Sequence, residues 1–268
     1  ARAGPGLKTS PSIPQEPLMT SARRAALLAW ALLVPLSPRA QTVQVVTETT
    51  PFVYLQDGKI AGPATEVLEK TLQLAGIKDY RLHIYPWARA YDIALTEPNV
   101  LIYLVARTPE REAKFQWVGE FMQTRYHLYK LRYRADIQAR TLEAARNYTI
   151  GVMRDDLRHQ YLQQQGFTRL VVSAQTLENF AQLVNRKVDL VPLSESGAET
   201  QCRNARFDCA GLEKVLPLDN LTTGLYMAYS LGTPPDVVQR TQAAFMQLKT
   251  NGTVKRTMEA KATASKAP

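Results

Sequence analysis

Two periods of apolar positions alternate along the chain. Gln44 to Thr49 is a short β-branched run halted by Pro51, which predicts a strand ending in a turn. After Gly62-Pro63, the apolar positions Val67, Leu68, Leu72 and Ala75 recur at helical spacing. Pro63 suits a first turn there and Gly76 a C-terminal stop. Tyr80 to Tyr85 alternates, Pro86-Trp87-Ala88-Arg89-Ala90 opens a second helix, and Val100 to Ala106 is almost unbroken apolar sequence. Strand, helix, strand, helix, strand in that order predicts a parallel sheet with helices on both faces.

After a further strand-like segment, Phe121 to Leu131, the pattern restarts. Leu142–Arg146 reads as a short helix, Tyr148–Met153 as a strand, Arg158–Gln165 as a helix closed by Gly166, and Leu170–Val172 as a strand. Leu177, Phe180, Ala181 and Val184 share one helical face, and Val188–Leu193 is again apolar. Leu225–Leu231 reads as a strand, and Thr233-Pro234-Pro235 starts a helix with Val237, Val238, Thr241, Phe245 and Leu248 on one side. The closing helices, through about Ala262, have no strands of their own to cover and are expected to pack on the first unit. The expected domains are a discontinuous first lobe, residues 41–130 and 226–268, and an inserted second lobe, residues 131–225. Two crossing strands, near Tyr129–Tyr133 and Leu221–Tyr226, join them.

The first forty residues follow another pattern. Met19 precedes Arg23-Arg24, an uncharged apolar run from Ala25 to Leu36, and Ser37-Pro38-Arg39-Ala40-Gln41. This reads as the n-region, h-region and cleavage site of a secretory signal over residues 19–40, too short to span a bilayer comfortably. The alternative, a buried or amphipathic helix, lacks a polar stripe in its favour, while Pro38 departs from the usual small residue near a cleavage site. Residues 1–18 are Pro- and Ser-rich, precede a plausible initiator Met19 and are not expected in the mature protein.

Composition is that of an ordinary globular chain, with 45% hydrophobic residues and 33 Lys+Arg against 24 Asp+Glu. Removing residues 1–40 takes away five basic residues and one acid, Glu16, lowering the formal charge from +9 to +5. With no block of Lys/Arg to form a patch, nucleic acid is not an expected partner. Export would favour a disulfide between Cys202 and Cys209 in "CRNARFDC", two separate thiols being the alternative. A zinc site needs more ligands than that pair, and His83, His127 and His159 show no ligand spacing, so neither metal nor cofactor is expected.

Five segments carry a resemblance: "TETTPFVYLQDGKIAGPATEVLEKTLQLAG", "ARTPEREAKFQWVGEF", "YTIGVMRDD", "NRKVDLVPLS" and the closing "LKTNGTVKRTMEAKA". In this order, over about residues 43–262, the chain resembles the periplasmic solute-binding proteins of the amino-acid-binding family, family 3. The resemblance implies an α/β, type II, two-lobed periplasmic binding protein. Each lobe would be a mostly parallel sheet flanked by helices, with two hinge crossovers. It also implies a monomer that closes on a small-molecule ligand and delivers it to an ABC-transporter permease or presents it to a membrane sensor.

The same resemblance assigns candidate ligand residues. Thr108 and Arg111 match the family's Thr-x-x-Arg segment, whose guanidinium grips a ligand carboxylate through two parallel hydrogen bonds. The alternative for Arg111 is a solvated face paired with Glu110 and Glu112. Arg107 is either a second anion contact or a strand-end charge, and Ala106 stands where many relatives have a hydroxyl residue. Trp87 and Arg89 would give a stacking wall and a second cation, unless Trp87 is a core filler. Glu48 is placed to accept from a ligand ammonium. Tyr54 or Phe52 would pack on the ligand's body, though core burial is the plainer reading of Phe52. In the second lobe, the turn at Arg154 and Asp155 offers backbone N–H groups to an anion, unless Asp155 and Asp156 cap the helix themselves. Ser194 stands where the family commonly has an Asp that pairs with a ligand amino group. Either Glu195 substitutes or the ligand is not a standard α-amino acid.

Three functions compete on this scaffold. A binding module needs only export, two lobes and a cleft. A sensory binding protein differs in its partner alone. A dehydratase-like enzyme would use Glu48 or Glu195 as a general acid, against which stands the lack of a Gly-x-Ser-x-Gly elbow or paired His. The reading favoured is a non-enzymatic binder of an anionic or carboxylate-rich solute.

Overall fold

The computed structural model describes residues 42–264, with side chains through residue 259, together with Ala1, Gly4 and Gly6. The expected signal segment, its cleavage site and the tail after residue 264 lie outside the described residues.

The first lobe is built on a five-stranded sheet. Strand β1 (Val43–Thr47) lies between β4 (Tyr80–Ile84) and β5 (Val100–Ala106), parallel to both. Strand β12 (Thr223–Ser230) then joins antiparallel to β5, and β6 (Phe115–Thr124) joins antiparallel to β12. The sheet is therefore mixed, parallel at one side and antiparallel at the other, where the sequence implied a mostly parallel one. Strand order along the chain does not reveal that the returning strand β12 inserts beside β5.

Every residue of β5 is buried, as its unbroken apolar run requires of a central strand covered on both faces. The two faces hold separate cores. Leu101, Tyr103 and Leu104 pack with Val45 of β1, with Leu68 and Leu72 of α1 (Pro63–Leu74), and with Phe245, Val254 and Met258 of the closing helices α7 (Pro235–Thr250) and α8 (Thr253–Ala264). Val100, Ile102 and Val105 pack instead with Val46 and with Trp87, Ala90 and Ala94 of α2 (Trp87–Thr96). The alternation slips once: Tyr226 pairs with Val105 and Met227 with Tyr103, so Leu104, in the left-handed region at φ 61°, is skipped as a bulge. Before α1, Gly62 adopts φ 120°, and a Cβ there would lie 2.3 Å from the Phe52 carbonyl oxygen, so only glycine fits.

In the second lobe, β7 (His127–Leu131) pairs antiparallel with β10 (Val191–Leu193) and β11 (Leu212–Pro217). Strands β8 (Ile150–Met153) and β9 (Leu170–Ser173) pair in parallel, and a bridge from Ile150 to Leu190 ties them to the rest. Helices α3 (Leu142–Ala145), α4 (Leu157–Gln164), α5 (Thr176–Val184) and α6 (Glu195–Ala205) complete the lobe. Sheet membership changes between Thr124 and His127 and again between Pro217 and Thr223. The expected lobe limits at 130/131 and 225/226 thus fall at the end of β7 and inside β12. Arg125-Tyr126, the break between β6 and β7, contains no Gly or Pro, and the sequence runs through it as one strand.

Cys202 of α6 and Cys209 are joined by a disulfide. The structure adds to the sequence reading helix α6, strand β11, and a hairpin of β2 (Tyr54–Gln56) and β3 (Lys59–Ala61) turning on Asp57-Gly58, both at positive φ. Among the described residues no helix is long and apolar enough to cross a membrane.

Candidate ligand-binding cleft

The lobes meet directly where β1, α2 and the turn after β5 face the N-terminus of α4. Arg111, at the end of that turn, is 1% exposed. Its Nη1 donates to the Ala106 carbonyl and its Nη2 to Gln160 Oε1 of the second lobe, both at 3.4 Å, the long limit of a hydrogen bond. Nε finds no acceptor among the described residues. The guanidinium carbon lies 5.3 Å from the centre of the Trp87 ring and 4.8 Å from that of Tyr91, and the Tyr91 hydroxyl and the Asp156 charge favour its charged form. Burial lowers its pKa, yet an arginine remains charged. The solvated alternative is excluded by this burial. Glu112 pairs instead with Arg107, which is exposed and lies over Trp117 and Tyr226.

Trp87 opens α2, is buried, and stacks on Tyr91 with ring centres 5.3 Å apart. Its indole N–H crosses to the second lobe and donates to the Asp155 carbonyl at 3.0 Å. That carbonyl also accepts from Gln160 Nε2 at 3.2 Å. Met153, at the end of β8, packs into the same aromatic cluster.

A second group of charges adjoins Arg111. Asp156 caps α4, accepting from the His159 N–H at 2.8 Å, while its other oxygen accepts from Arg158 Nε. Arg158 also donates to the Pro192 carbonyl at 3.1 Å and to Thr176 Oγ1 at 3.3 Å, with Tyr126 beneath it at 5.5 Å. Glu48, one residue past β1, faces this group with part of its surface still exposed. Burial pushes its carboxyl up to about 8, the Arg158 charge opposing and the Asp156 charge reinforcing the rise. Burial likewise raises the Tyr126 hydroxyl.

The remaining expected residues lie elsewhere or act differently. Asp155 and Arg154 expose their side chains; Asp155 faces the junction through its carbonyl, at φ 56°. Arg89 is exposed and stacks over Tyr85 at 4.4 Å. Thr108 is half-buried, its carbonyl accepting the Arg111 N–H at 3.0 Å. Tyr54 is half-buried in the β2–β3 hairpin. The Ser194 hydroxyl caps α6, accepting from the Gly197 N–H at 3.1 Å, and Glu195 forms an ion pair with Lys214. Ser194 and Glu195 line a groove of about 880 Å³ between the lobes, with Phe52 and Met122 on its first-lobe side and Tyr126 and His127 on its floor. The sequence reading did not single out Tyr91, Tyr126, Met153, Arg158 or Gln160. Arg158 carries a readable signal, lying two residues after a helix-capping Asp; the others carry none.

No family model matches the sequence, and no curated protein matches it. Solved structures do share its architecture. A histidine kinase sensor domain with similarity to periplasmic binding proteins superposes with a TM-score of 0.72 at 16% identity, covering 81% of this chain and 94% of that one. The arginine-, lysine-, histidine-binding protein ArtJ of Geobacillus stearothermophilus gives 0.71 at 17%, covering 82% and 94%. AbpA of Streptococcus pneumoniae, an amino-acid ABC-transporter substrate-binding protein bound to L-arginine, gives 0.71 at 16%, covering 85% and 96%. The fold is that of the two-lobed periplasmic binding proteins. At such identities the likeness is one of architecture, and within this binding-protein fold the chemistry belongs to the chain's own residues. Here the lobe junction combines a buried cation short of acceptors, an aromatic wall, and a carboxyl group whose ionisation is opposed.

Proposed function

We propose that the chain binds a small carboxylate-bearing solute between its lobes and closes over it, without catalysing a reaction. The observation that carries this reading is Arg111: buried, charged, held by two long hydrogen bonds, and with an Nε lacking any acceptor among the described residues. Buried charges are normally paired, so a ligand carboxylate taking two parallel bonds from this fork completes the site. Trp87 and Tyr91 form the wall that keeps water off that pair, and Gln160 and the Asp155 carbonyl bring the second lobe to it. Closure then proceeds only as far as the ligand prefers the closed arrangement.

Delivery to an ABC-transporter permease from the periplasm is the favoured setting, supported by the signal-like residues 19–40, the disulfide, and the transporter proteins among the similar folds. A sensory role is the second reading, favoured by the likeness to a kinase sensor domain.

Calorimetric and thermal-shift screens of the purified chain against small carboxylates test the proposal. A ligand at a hundred times its dissociation constant adds about 2.7 kcal/mol to stability. Arg111→Gln is expected to weaken binding by about 2–5 kcal/mol. Absence of any hit, or a hit indifferent to Arg111→Gln, refutes the site.

A further inference from the structure

Resting on that reading of the cleft, we propose that its ligand carries no ammonium group: a dicarboxylic or oxo acid rather than an α-amino acid. An ammonium brings three donors and a charge, and its burial needs acceptors, at least one of them anionic. Around the junction, the described carboxylates are already engaged or turned away. Both oxygens of Asp156 accept bonds, one from the His159 N–H and one from Arg158. Asp155 keeps its carboxylate exposed and shows the junction only its carbonyl, which already accepts from Trp87 and Gln160. Glu112 grips Arg107, Glu195 is paired with Lys214, and the Ser194 hydroxyl accepts from its own helix.

Glu48 remains. It meets Arg158 and Asp156 from the start of α4 and Tyr126 from the crossing segment, and burial holds its carboxyl up to about 8. Burial thus favours its neutral, protonated form at neutral pH. With Glu48 neutral, Arg158 balances Asp156 and the charge of Arg111 stands alone. The junction therefore offers one net positive charge and donors on both sides, which suits an anion rich in acceptors. A zwitterion would have to ionise Glu48 against its burial.

The test is calorimetry on the full chain with matched pairs: glutamate against 2-oxoglutarate, aspartate against succinate, leucine against 4-methyl-2-oxopentanoate. The deaminated acid of the pair that binds is expected to bind at least about tenfold more tightly than its amino acid. Its affinity should stay level below about 8 and fall by up to about tenfold per pH unit above it, because binding then has to take up a proton at Glu48. In Glu48→Gln, which donates but cannot titrate, this slope should vanish. An amino acid that binds as tightly as its deaminated counterpart, or more tightly, overturns the inference while leaving the solute site standing if Arg111→Gln still abolishes binding. A slope unchanged in Glu48→Gln also overturns it. Binding of neither class, or binding indifferent to Arg111→Gln, overturns the solute site itself and the inference with it.

Discussion

The contact between Trp87 and Asp155 makes lobe closure quantitatively testable. Trp87→Phe keeps an aromatic ring over Arg111 but removes the indole donor. The Asp155 carbonyl is not orphaned, because Gln160 Nε2 still donates to it at 3.2 Å. The loss is then that of one net hydrogen bond, about 0.5–1.5 kcal/mol, rather than that of an unpaired buried group. Since 1.4 kcal/mol is a factor of ten, the ratio of closed to open molecules should fall by about two- to thirteenfold. Trp87→Ala also strips away the buried ring, at a cost of about 3–5 kcal/mol, and lets water reach Arg111. Single-molecule energy transfer between dyes on Asp57→Cys and Gln163→Cys, exposed positions on opposite lobes, reads the distribution directly. A population that stays put in Trp87→Phe while the unfolding midpoint drops would refute the reasoning. The indole would then serve only the packing of α2, and the bond to Asp155 would contribute nothing to closure.

Other outcomes follow from the packing and the charges. Replacing Cys202 and Cys209 by serine opens a loop with a sequence separation of 7; chain entropy for so short a loop predicts a loss of about 2–3 kcal/mol, read as a lower urea midpoint that added reductant reproduces in the wild type. Gly119→Ala places a Cβ 2.2 Å from Cδ1 of Phe245, whose ring packs on Phe121, and should cost about 1–3 kcal/mol, or several degrees in a melting scan. Because burial raises the Glu48 carboxyl, its contribution to stability is fully present below about 4.5 and is lost as pH rises through about 8. The wild type should therefore lose midpoint relative to Glu48→Gln across that window, and parallel pH profiles would contradict the burial of Glu48.

Much of the framework was legible because buried strands and amphipathic helices announce themselves by period. Val100–Ala106 coincides with its sequence-read limits, and the apolar face read from Leu177 to Val184 lies on the helix Thr176–Val184. Helix α6 escaped because ESGAETQCRNA has almost no apolar stripe; its surviving cue is Ser194, a cap. The site was harder to read. Arg107 and Arg111 look equivalent in sequence, yet one lies on the surface with Glu112 and the other is buried against Trp87 and Tyr91. The segment between them is a turn, not a helix, so helical spacing does not apply. Tyr91, Tyr126 and Gln160 sit on or beside ordinary elements, and their role arises where the lobes meet, a relation with no local pattern.

The skipped residue in β5 has a consequence for any shortened version of this chain. Leu104 reverses the in-out alternation, so that Val105 faces the same core as Ile102. Deleting Leu104 itself would restore regular pairing and remove a backbone position at positive φ, and the sheet would still form. Val105 would keep Tyr226 as its partner and stay on the face of Ile102, so the turn that carries Arg111 would leave the strand in its present phase. The location of the buried charge is thus fixed by the pairing of Val105 with Tyr226 and not by the extra residue before it. Deletion of Leu104 alone should therefore yield a folded protein that keeps Arg111 at the lobe junction, whereas an added residue after Val105 would turn the following side chains to the other face.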